Sequence, residues 1–153
     1  MDRQKAKEQD RYERRHNFNA VEEIFTQEQA SNEASRCLNC KNPQCVKGCP
    51  VNINIPAFIK ALKENDIEKS GDIIRETSML PSVCGRICPQ ERQCEGNCIL
   101  GIKKEPVAIG ALERYVGDNT SAKTFTVKPS GKKVAVIGSG CAGITAAADL
   151  KKA

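Results

Sequence analysis

The sequence predicts a mainly α-helical domain stapled by metal-bound cysteines. The first strand, glycine loop and helix of an incomplete α/β nucleotide-binding domain follow it. Three observations predict this. Eight of the nine cysteines lie in two blocks, Cys37-Leu-Asn-Cys40-Lys-Asn-Pro-Gln-Cys45-Val-Lys-Gly-Cys49-Pro50 and Cys84-Gly-Arg-Ile-Cys88-Pro89-Gln-Glu-Arg-Gln-Cys94-Glu-Gly-Asn-Cys98. Apolar residues recur at helical spacing between and after these blocks. The C-terminal stretch sets a β-branched apolar run directly before Gly138-Ser-Gly140-Cys-Ala-Gly143.

Composition supports the staple. The chain has 153 residues, of which 39% are hydrophobic and only 4% aromatic, with no Trp. A core that thin commonly needs a metal or covalent cross-link. The opening Met-Asp-Arg-Gln-Lys lacks the apolar run of a signal peptide, so a reducing, cytoplasmic setting is expected and disulfides rank last. No stretch approaches membrane-spanning length. The net charge of +5 comes from 24 basic residues interleaved with 19 acidic ones. With so few aromatics for base stacking, no nucleic-acid surface is expected.

Taken in order, residues 1–25 form a polar arm in which 2–15 are a solvated helix or a mobile segment, because their scattered apolar residues build no face, and Val21-Glu-Glu-Ile-Phe25 is a short apolar segment. His16, the single histidine, sits among charged residues and is given no role. Thr26-Gln-Glu-Gln29 reads as a capping box opening a helix over 27–36 that delivers the chain to Cys37. Pro56 suits a helix first turn, and Ile55, Phe58, Ile59 and Leu62 share one face. Asn65-Asp66 ends that helix and caps another over 67–77, with Ile67, Ile73 and Ile74 turned inward. These two helices form a hairpin that brings the cysteine blocks together. Residues 107–116 are again helical, with Ile109, Leu112 and Val116 on one side and Glu113 at its edge; Gly117-Asp-Asn119 is expected to end this helix. A helical domain over 26–118 and a polar linker over 119–131 follow from this pattern. In 132–153, the strand Lys132–Ile137, the glycines Gly138, Gly140 and Gly143, and a helix from Ile144 stand in the order that lets a pyrophosphate approach a helix N-terminus.

The cysteine spacing favours iron–sulfur over zinc. Zinc sites pair two C-x2-4-C knuckles, often with His. Here one C-x2-C is followed by C-x4-C and C-x3-C, with no usable His. A Cys before Pro, as at Cys49 and Cys88, is a feature of ferredoxin-like runs in which that Cys serves the other cluster. Spacing alone thus groups Cys37, Cys40 and Cys45 with Cys98, and Cys49 with Cys88 and Cys94. It leaves the eighth ligand open between Cys84 and an outside group.

The combined pattern, together with Leu80-Pro and Pro106-Val-Ala-Ile-Gly-Ala-Leu-Glu-Arg-Tyr115, resembles one family over about residues 17–150. That family is the N-terminal domain shared by the NADPH-dependent glutamate synthase small subunit, the large subunit of NADH-dependent ferredoxin:NADP oxidoreductase, and dihydropyrimidine dehydrogenase. The resemblance implies a helical domain with two 4Fe-4S clusters. Cys37, Cys40, Cys45 and Cys98 would hold one cluster. Cys49, Cys88 and Cys94 would hold the other, with Glu113 as its non-cysteine ligand and Cys84 as a spectator. It further implies that the loop at Gly138, Gly140 and Gly143 binds FAD, that a later domain binds NADPH or NADH, and that a second oxidoreductase subunit is the partner. That partner would be of the glutamate synthase large-subunit or ferredoxin:NADP oxidoreductase small-subunit type. Cys141 stands where the family usually has Pro or Ala, most simply as a small tolerated residue. The function expected is electron transfer between an NAD(P)H/FAD module and that partner. The alternatives are a stand-alone iron–sulfur carrier or scaffold without flavin, and a zinc-stapled interaction domain.

Overall fold

Thr26 starts the first α-helix of the computed structural model, which describes residues 1–124 and 126–153; Phe125, inside the predicted linker, lies outside the described residues. The Thr26 hydroxyl accepts from the Gln29 N–H at 3.2 Å, and Gln29 Oε1 accepts from the Thr26 N–H at 3.0 Å. This reciprocal pair is the capping box read from the sequence, and it opens α1 (Gln27–Ser35). A single turn, α2 (Gln44–Lys47), lies within the first cysteine block.

Helix α3 (Ile55–Lys63) carries Pro56 in its first turn, and all four residues of its predicted face are buried. Asn65, with φ of 61°, reverses the chain, and Asp66 caps α4 (Ile67–Arg75) by accepting from the Lys69 N–H at 3.0 Å. Ile74 is fully buried, whereas Ile67 and Ile73 pack partly exposed against the core. The Ser70 hydroxyl donates to the Phe58 carbonyl at 2.9 Å, tying α4 to α3 inside the core.

Helix α5 (Pro81–Ile87) was not foreseen. It packs along α6 (Ile109–Asn119), which buries Ile109, Leu112 and Val116 as expected. That helix takes in Gly117-Asp-Asn119, the three residues expected to end it, and stops at Asn119. Gly117 is there for proximity: a Cβ would collide with the backbone of Pro81 and Ser82 at the start of α5. Gly85 does the same from the other side, against the backbone of Arg114. Arg86 then clasps Asp118 with two hydrogen bonds of 2.9 and 2.6 Å.

Apart from one 3-10 turn at Glu13–Arg15, the polar arm is not helical, and it is not free either. It folds back on itself through a Glu8–Glu22 bridge and is pinned at several points to α1 and α6. Backbone groups of the arm meet the Glu33 carboxylate, the Gln29 amide and the Arg114 guanidinium in those contacts, which hydropathy could not reveal, while Phe25 at its end enters the core.

These elements form one unit, Met1–Ser121; Ala122–Ala153 form another. In the second unit α7 (Cys141–Lys152) forms, but the predicted strand over 132–137 does not. A strand exists by pairing its N–H and C=O groups with a neighbour. Among the described residues none pairs with this segment, and Val134, Val136 and Ile137 are exposed. No helix among the described residues is long and apolar enough to cross a membrane.

Candidate metal centre

Helix α1 ends at Arg36 and presents Cys37 at the edge of the core. Asn39 then takes φ of 48°, a left-handed conformation that Asn tolerates better than most residues, and the C-x2-C loop turns around it. Cys45 follows on α2, and Cys98 stands just before the 3-10 turn Ile99–Ile102. The four thiols line one cavity, whose floor is Ile55, Ile59, Val107 and Ile109. Burial raises the Cys37 thiol, and Cys40 and Cys98 add to the rise, while the Asn39 backbone N–H offsets part of it. Burial and then Cys98 and Cys37 push Cys45 up to about 11.

A second group lies where α5 meets α6. Cys88 closes α5 with extended backbone, as a residue before proline must, and burial followed by Cys84, Glu113 and Cys49 pushes it up to about 11. Cys94 is buried and pushed up to about 12 by desolvation, then by Glu95, Glu113 and Cys49. Glu113, 7% exposed, faces this group from α6, and burial raises its carboxyl to about 7. Its Oε1 is buried with no hydrogen-bond partner. Cys84 sits one turn before Cys88 on α5 and accepts a hydrogen bond from the Ser78 hydroxyl at 3.8 Å.

The chemistry of both groups asks for a cation. Upward shifts mean that these thiols hold their protons and would repel one another as thiolates, and metal binding is what removes such protons. A single zinc wants its donors converging on one point. Among the described residues no three His, Cys, Asp or Glu side chains do so. In the first group the four thiols line one apolar cavity, and thiolate donors around an apolar pocket suit an iron–sulfur cluster. The orphaned Glu113 oxygen suits the second group in the same way, as a buried acceptor that no protein donor meets.

One protein family, described as dihydropyrimidine dehydrogenase domain II, 4Fe-4S cluster, matches residues 14–125. The chain belongs to this 4Fe-4S family. Among curated relatives it is 42% identical to the glutamate synthase (NADPH) small chain of Escherichia coli K12, over 85% of this chain and 29% of the relative. It is 40% identical to the Azospirillum brasilense protein of the same name, over 91% and 30%. It is 35% identical to the NAD-dependent dihydropyrimidine dehydrogenase subunit PreT of Escherichia coli K12, over 82% and 32%. The chain thus spans about a third of the length of these relatives. The family resemblance read from the cysteine blocks is the correct one, and the chain is an iron–sulfur domain of oxidoreductase relatives.

Other site residues of this 4Fe-4S domain escaped the sequence reading. Glu33, fully buried on α1, accepts from Arg36 Nη1 at 2.5 Å, from the Ala108 N–H at 2.7 Å and from the Gln4 N–H at 2.7 Å. Arg36 also donates to the carbonyls of Glu105 and Pro106. Glu95 accepts from the Gly110 N–H at 3.0 Å and pairs with Arg3 at 2.6 Å. Charged residues in a polar stretch carry no signal of burial; the only hint was that Glu33 precedes Cys37 by one helical turn and Glu95 adjoins Cys94. Gly138, Gly140 and Gly143 stand in the other unit, before and within the first turn of α7. Gly138 has φ of 109°, and a Cβ on Gly143 would strike its carbonyl, so this bend needs glycine at both places.

Proposed function

We propose that this chain is the N-terminal electron-transfer part of an NAD(P)H-dependent oxidoreductase resembling the glutamate synthase small subunit. It would bind two 4Fe-4S clusters, one on Cys37, Cys40, Cys45 and Cys98, the other on Cys49, Cys88, Cys94 and Glu113. The observation that carries the reading is the unpartnered, buried Glu113 oxygen among the second group of thiols, separate from a complete set of four thiols in the first. When bound, such clusters accept and release single electrons without bond-making chemistry.

This chain's residues would hold and tune those groups. The Cys37–Cys45 loop wraps one site, with its apolar floor limiting water. Helix α6 supplies the carboxylate of the other, and a hard oxygen ligand gives that site a potential unlike its neighbour's. The proposed domain boundaries are an arm over 1–25, the cluster domain over 26–118, a linker over 119–131 and the start of an FAD-binding domain over 132–153. Gly138, Gly140 and Gly143 would there let a pyrophosphate approach α7. NADPH or NADH, FAD and a second subunit of glutamate synthase large-chain or ferredoxin:NADP oxidoreductase small-chain type belong to this proposal, as does a cytoplasmic setting. It is supported by relatives named as a small chain and as a dehydrogenase subunit.

The ligand set is tested by substitution. Glu113→Ala alters the paramagnetic signal of one reduced cluster, whereas Cys84→Ala preserves both; the reverse result overturns the assignment. The carrier-only alternative is favoured by one fact, that Met1–Ser121 form a unit with its own core. Stoichiometric FAD binding to the chain would dismiss it.

A further inference from the structure

Arg3 stands 92 positions before Glu95 in the chain, yet its guanidinium ends at the second site. Its Nη2 lies 2.6 Å from Glu95 Oε2, and its Nη1 donates to the Pro106 carbonyl at 3.0 Å. The other Glu95 oxygen accepts from the Gly110 N–H in the first turn of α6 at 3.0 Å.

That turn needs outside help. A helix start leaves four N–H groups without intrahelical partners, and the residue before α6, Ala108, has no side chain to cap them. Carboxylates from elsewhere take over, Glu33 on Ala108 and Glu95 on Gly110. Glu113 lies one turn further along the same helix. Glu95 also directly follows Cys94, so one carboxylate both anchors the helix that presents Glu113 and sets a negative charge beside a thiol. Its residue is only 7% exposed, and a carboxylate so buried demands a cation. Arg3 is that cation. The arm holding it is fixed on both sides, through Gln4 to Glu33 at 2.7 Å and through Glu22 to Arg114 at 2.8 Å.

We propose that Arg3 is a positioning and charge-balancing residue for the second cluster. Through Glu95 it fixes the first turn of α6, and with it Glu113, and it offsets the carboxylate charge beside Cys94. The inference rests on the two-cluster reading above. Cluster potentials follow local net charge and hydrogen bonding, and added negative charge makes reduction harder.

Redox titration of the cluster-loaded protein, followed by electron paramagnetic resonance, tests it. Arg3→Gln leaves Glu95 charged and unpaired and lowers the second cluster's midpoint potential. Glu95→Gln leaves the cation and raises it. The double variant returns toward the parent value, Arg3→Lys stays near it, and the first cluster is unmoved throughout. A purely structural role predicts that both single variants disturb the second cluster in the same direction, and that outcome overturns the proposal. So does equal movement of both clusters, or movement of neither. Iron and sulfide counts separate the two levels of failure. About eight of each per chain with unmoved potentials refutes the role of Arg3 alone, whereas about four of each refutes the two-cluster reading and the inference with it.

Discussion

The two thiol groups are built on different principles. Cys37, Cys40 and Cys45 of the first are supplied by nine consecutive residues, and Cys98 joins them across an apolar floor. The second gathers Cys49, Cys88, Cys94 and Glu113 from separate segments, and it depends on α5 lying against α6. Around both, burial is the largest force on the thiols, and neighbouring thiols add to it. Only around the second do carboxylates add as well, with Glu95 and Glu113 both raising Cys94. A site made by a loop is secured by local geometry. A site made by helix packing is secured only as well as the helices are, and here charged anchors hold the helix that presents Glu113.

The largest expected effect breaks the sites apart. Cys45→Ser removes the first cluster and Cys88→Ser the second, each leaving about four of the expected eight irons per chain by iron and sulfide analysis. Loss of all iron from either variant would show that the two sites assemble only together.

A smaller change exposes the dependence on packing. Gly85→Ala sets a Cβ 2.6 Å from the Arg114 backbone nitrogen, so α5 must move away from α6. Overpacking of this kind costs about 1–3 kcal/mol. Denaturant unfolding should show that loss of stability, and spectroscopy should show a weakened second cluster beside an intact first. Equal weakening of both would mean that α5 serves the domain as a whole.

The smallest effect concerns the Arg86–Asp118 clasp. Arg86 holds the Asp118 carboxyl below its ordinary 3.8. A lowered carboxylate contributes stability above its unfolded value and loses it as pH falls through the folded one. Asp118→Asn therefore costs under about 1 kcal/mol at pH 7, because the pair is partly exposed, and the difference from the parent shrinks below about pH 4. Urea midpoints of the two proteins at pH 7 and pH 3 check this.

The same contrast separates what could be read from the chain. The capping box at Thr26 and the faces of α3 and α6 were legible because each depends on residues within one or two turns. Cys37, Cys40 and Cys45 of the first thiol group stood out for the same reason. Helix α5 was hidden because its seven residues include Gly85 and the buried Pro81, and its packing against α6 rests on close approach rather than an apolar stripe. The arm was misread over residues 2–15 because hydrogen bonds and ion pairs do most of the holding there, with Ala6 the one core-packed apolar residue of that stretch, whereas Phe25 at the far end of the arm joins the core. The strand over 132–137 was read from its apolar, β-branched run, but a strand is defined by a partner, and composition supplies none.

By itself the sequence determined the helical class, the family and the chemistry of the donors. Thiol spacing and helical periodicity are local properties, and they survive in a linear string. Only the tertiary structure decided that Glu113 keeps a buried, unpartnered oxygen within electrostatic reach of Cys88 and Cys94, and that Glu33 and Glu95 are buried against the start of α6 with Arg3 paired to Glu95. Burial of a charge depends on what packs over it from distant parts of the chain, and no residue carries that information alone.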